Sequence, residues 1–128
     1  MIKINDILKG FRSAFKAENY NRPLVMYDEK PRSNTYLKVS HLSDSFLGKT
    51  TAGSVLTLDF VFDYYTNKDL NDREMNEEKD LIKAVFDNRP FYEMDSKTIW
   101  FDLIYTTQEP EGEEKFSYLI SLTVENVE

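Results

Sequence analysis

The chain has 128 residues, 41% of them hydrophobic, with nine Phe, eight Tyr and one Trp; such a composition builds one cored domain over 1–128 and excludes intrinsic disorder. Sixteen basic against 23 acidic residues leave a net charge of −7, which argues against a nucleic-acid binder, because neutralising phosphates needs a basic surface. With no cysteine, disulfides, iron–sulfur clusters and thiolate zinc sites are out, and the redox compartment stays open.

The N-terminal residues lack the basic start and apolar run of a signal peptide. No window approaches the ~18 apolar residues of a membrane span, and there is no N-x-Ser/Thr sequon. A cytoplasmic site of synthesis, without membrane association, is the expectation.

In chain order, Ile4, Ile7, Leu8, Phe11 and Phe15 recur at helical spacing, with Asn5 as the expected N-cap and residues 19–23 as the stop. Residues 24–27 and 35–40 read as two short strands around a turn-rich link. Residues 43–53 are small and polar except for Phe46 and Leu47, and read as a loop. Residues 54–65 form the strongest strand: Leu56, Leu58, Phe60, Phe62 and Tyr64 alternate with Val55, Thr57, Asp59, Val61 and Asp63. A second helix follows, opened by Asn71 and Glu74 at capping-box spacing, lined by Met75, Ile82, Val85 and Phe86, and stopped by Pro90. Strands at 99–105 and 116–124, joined by the acidic tip 108–114, close the chain. The order α-β-β-β-α-β-β predicts an α+β domain: a mostly antiparallel five-stranded sheet with both helices on one face. Edge strands of such a sheet leave backbone groups that a neighbouring copy can satisfy.

Candidate chemistry is sparse. Gly48-Lys49-Thr50 imitates the tail of a phosphate-binding loop, but the required earlier glycine is Ser43, and a strand rather than a helix follows. His41 is the single histidine, too few for a histidine-based metal site, and catalysis there needs a partner supplied by the fold. Asp59 and Asp63 share a strand face and Asp102 falls on a nearby strand. Paired carboxylates can serve hydrolysis or hold a cation, yet outward positions of a half-exposed strand are expected to be polar. Neither enzymatic activity nor a cofactor or metal is therefore expected. Trp100, Ile104 and Leu119 lie on the face opposite the main core, which makes either a protein-binding patch or filling beneath a loop.

Taken together, the amphipathic helix from Ile4 to Phe15, the short hairpin with Tyr36-Leu37-Lys38-Val39 and the 43–53 loop give an arrangement similar to a known family. With the strand Leu56-Thr57-Leu58-Asp59-Phe60-Val61-Phe62, the helix ending near Phe86 and the two closing strands, the chain resembles the tail-terminator and tail-completion proteins of long-tailed bacteriophages. The resemblance covers nearly the whole chain at the level of architecture and size. It implies a hexameric ring in the virion that caps the tail tube, meets head-completion or connector proteins and performs no catalysis. The 43–53 loop is then expected to order against a partner, with Phe46 and Leu47 supplying apolar area and Lys49 a rim charge. The alternative is a small acidic protein-binding module of the inhibitor or immunity type, monomeric or dimeric, that blocks a basic partner.

Overall fold

The computed structural model describes residues 4–50, 53–88, 91–94, 97–100, 104–108, 110 and 112–127. In chain order these hold α1 (Ile4–Ala17), β1 (Leu24–Met26), β2 (Thr35–Thr50), β3 (Gly53–Thr66) and α2 (Asp72–Asn88). Then come β4 (Phe91–Met94), β5 (Lys97–Trp100), β6 (Ile104–Gln108) and β7 (Phe116–Val127). The main sheet runs β1-β2-β3-β7-β6, and β4 and β5 pair as a separate hairpin.

The alternation in β3 sets which face is buried. Leu58, Phe60, Phe62 and Tyr64 meet Leu37 and Val39 of β2 on one side and Phe116, Tyr118, Ile120 and Leu122 of β7 on the other. Both helices lie on that face. Phe11 of α1 sets its ring edge-on to Phe60 and Phe62, at 5.2 and 5.0 Å, while Phe15 and Phe86 pack around Phe62. Offset and edge-to-face ring pairs of this kind add attraction beyond their burial. The Tyr118 hydroxyl donates to the Lys79 carbonyl at 3.1 Å, and the Lys79 ammonium lies over the Phe116 ring, so α2 is seated on β7.

Helix ends follow local chemistry. At α2 the Asn71 side chain accepts the Glu74 N–H at 2.8 Å and Glu74 accepts the Asn71 N–H at 3.3 Å, a reciprocal capping box. Asn5 does not cap α1: the helix already includes Ile4, which places Asn5 in its first turn. At the other end Asn19 adopts φ 58°, Tyr20 N–H donates to Phe15 O at 3.0 Å, and Asn19 N–H donates to Lys16 O at 3.1 Å. Those two bonds make a Schellman motif, completed by an edge-on Phe15–Tyr20 contact at 5.1 Å.

Three further expectations need correction. The α+β class and two helices are present, but the sheet is mixed, because β1 pairs parallel to β2 (Leu24↔Leu37) instead of forming a hairpin with it. The link 27–34 carries the chain back across the sheet end, its start held by Glu29, which accepts the Met26 N–H and pairs with Arg12. Residues 43–50 are not a loop; they continue β2 and pair with β3 as far as Thr50↔Gly53. Two irregularities, at Leu42 and Leu47, each insert a residue and shift the strand's phase, so a period of two cannot be read across them. Finally, the single strand expected at 99–105 is divided: Lys97–Trp100 pairs with the unanticipated Phe91–Met94, and Ile104–Gln108 forms a sheet edge beside β7.

Candidate functional site

The site expected at Phe46, Leu47 and Lys49 lies on the distal half of β2. Phe46 pairs with Leu56, Leu47 falls at the second irregularity, and Lys49 pairs with Ser54; the surroundings of their side chains lie outside the described residues. Gly48-Lys49-Thr50 sits within a strand with no helix after it, so the phosphate-loop geometry is missing at this place.

The backbone there has a distinctive layout. β1 accompanies β2 only to Val39, and β6 accompanies β7 only to Ser121. Beyond those points β2, β3 and β7 continue together to Thr50, Gly53 and Val127. Among the described residues, 40–50 of β2 thus form an open edge of one three-stranded arm, while β5 lies against β7. Helix α2, with 17 residues, is about 25 Å long, while the 16-residue β2 reaches about 50 Å, so the helices cannot roof the whole sheet. Leu42, at the bulge where the arm begins, is 56% exposed.

The other residues weighed for chemistry are scattered. His41 pairs with Phe60 and stacks at a tilt against its ring, 5.2 Å away, and its shielded Nε2 meets no hydrogen-bond partner among the described residues. Asp59 and Asp63 lie on the face away from the helices, where each accepts a hydroxyl bond from its cross-strand neighbour, Ser121 and Ser117. Asp102 lies outside the described residues, and no group of three or more His, Cys, Asp or Glu converges among those described. Leu119 is half-buried on that same outer face, paired with Val61 and Thr106, and Ile104 pairs with Ser121. Trp100 pairs with Phe91 in the separate hairpin, whose β5 lies against β7.

One polar cluster escaped the sequence reading. Arg22 donates to Glu78 at 2.9 Å, and Glu78 is buried, while Tyr20 and Tyr64 lie within reach of its charge. Burial first, then the Glu78 carboxylate, pushes the Tyr64 phenol up to about 12 and Tyr20 higher still, so both stay protonated donors. Tyr20 Oη, Arg22 Nε and Glu78 Oε2 are shielded yet have no partner among the described residues. A groove of about 330 Å³ opens beside them between α1 and β1, lined by Arg12, Phe15, Lys16, Asn19, Tyr20, Arg22 and Leu24.

No protein-family model matches the chain, and no characterised protein matches it either. Among the described residues no helix is long and apolar enough to cross a membrane.

Proposed function

We propose that the chain is a ring-forming structural protein of a phage tail, a terminator that caps the tail tube and joins it to head-completion or connector proteins in the virion. The single observation that carries the assembly is the arm's open edge, 40–50 of β2. Unpaired strand edges are sites of chain-to-chain pairing unless something covers them. Where that edge meets a different surface of a neighbouring copy the contact is head-to-tail, and such contacts close into rings when the rotation allows. The occupant of the edge is thus a second copy of the same chain.

The separate placement of His41, Asp59 and Asp63 supports a role without catalysis: each aspartate is engaged by a strand serine, and His41 packs against Phe60. Multi-angle light scattering on the native protein, alone and with tail tubes, tests the reading. The expected particle is about six times 15.1 kDa, visible as a closed ring at tube ends. A strict monomer in both settings overturns it, and a 1:1 complex with a basic protein then favours the small inhibitor-type module.

A further inference from the structure

The cationic groove and the acidic link lie at the same end of the sheet but on opposite margins. The groove borders β1 at Leu24. The link between β6 and β7 ends at Lys115, whose N–H donates to Tyr64 O, at the end of β3, at 2.7 Å. Four strand spacings, about 19 Å, separate β1 from β6, so the two features stand on opposite margins of one copy. We infer that Glu113, in the link between β6 and β7 of one copy, docks its carboxylate in the Arg12–Lys16–Arg22 groove of the next. The inference rests on the head-to-tail ring.

The groove supplies what a carboxylate needs. Lys16 is exposed in the last turn of α1 and meets no acidic partner among the described residues. Arg12 and Arg22 are engaged with Glu29 and Glu78, which holds their guanidinium groups in place. Tyr20 Oη and Arg22 Nε are two unpartnered donors on the groove wall, and leaving such donors shielded from water is costly unless an acceptor arrives. The link supplies the acceptor: Glu113 lies in a stretch, 109–114, with four glutamates and no cation. Pro110, Gly112 and Glu113 are exposed. In a chain of net charge −7, a contact of opposite sign also overcomes the general repulsion between copies.

Charge reversal tests it on the full-length protein. In sedimentation velocity at 50 mM salt, Lys16→Glu and Glu113→Lys should each weaken self-association about five-fold or more. The double variant Lys16→Glu/Glu113→Lys should recover most of that loss, because each contact then has its signs exchanged. Both positions are exposed, so unfolding midpoints should match the parent protein. Rings that form equally well in both single variants overturn the contact and leave the ring standing. If the parent protein stays monomeric, a synthetic peptide of residues 107–115 is titrated while amide shifts are followed. Shifts centred on Tyr20 and Arg22 that vanish in Lys16→Glu uphold the groove and sink the ring; a monomer that ignores the peptide sinks both.

Discussion

At the scale of single residues, the Arg22–Glu78 pair is the polar contact on which the helix-covered face most depends. Glu78 sits on the inward side of α2, where an aliphatic side chain would be the ordinary choice, and Arg22 reaches it from the segment after α1. Removing one member of a buried pair strands the other charge, at a cost of about 3–5 kcal/mol when burial is complete. The Arg22 side chain keeps 31% of its surface, so water screens part of that loss, and Glu78→Ala should cost about 1–2 kcal/mol. Glu78→Gln keeps an acceptor for the guanidinium and should cost less. Urea unfolding reads both: the midpoint falls while the slope stays constant. Equal stability of Glu78→Ala and the parent protein would show that the pair adds nothing to the fold. Neither Arg22 nor Glu78 stood out in the sequence. They lie 56 positions apart, and Glu78 adjoins Glu77 and Lys79 on a helix rich in charge, so nothing in its spacing set it apart from its solvated neighbours.

At the scale of elements, caps and turns decide where helices stand. The Asn71–Glu74 box closes the N-terminus of α2, and Asn71→Ala should lower stability by about 1 kcal/mol, with Asn71→Ser close to neutral. Thermal unfolding followed by circular dichroism measures this, and a midpoint unchanged by Asn71→Ala would show the cap to be dispensable. This box was legible because its residue types and three-residue spacing are local. The buried rows of α1, β3 and β7 were legible for the same reason, since their alternation is unbroken: Leu58, Phe60, Phe62 and Tyr64 are all 4% exposed or less. The distal half of β2 was not. Ser43, Asp44, Ser45 and Gly48 have low strand preference, and the irregularities at Leu42 and Leu47 break the period. Only the pairing with β3, whose own preference is strong, makes a strand of these residues. The parallel placement of β1 was hidden too, because it depends on how the link 27–34 is held rather than on the three residues Leu24–Met26 themselves.

At the scale of the whole molecule, the described core sits on one half of the sheet, and β2, β3 and β7 continue beyond it. The separation lets assembly be tested apart from folding. Along an edge strand, alternate N–H groups bond inward to the neighbouring strand or point outward to the open side. Of two adjacent positions on the β2 edge, Asp44 and Ser45, one therefore has its N–H in the ladder with β3 and the other has it free. Proline lacks that N–H and, on an edge, is tolerated where the group points outward. Placed at the inward position it removes a ladder bond and should lower stability by about 1 kcal/mol. Placed at the outward position it should leave the unfolding midpoint close to that of the parent protein, since the buried rows from Leu37 to Val39 and Leu58 to Tyr64 are untouched. If the edge meets a neighbouring copy, that second variant loses the ring and sediments as a folded monomer. Rings of unchanged mass from both Asp44→Pro and Ser45→Pro would show that the β2 edge is not where copies meet, whatever holds them together elsewhere.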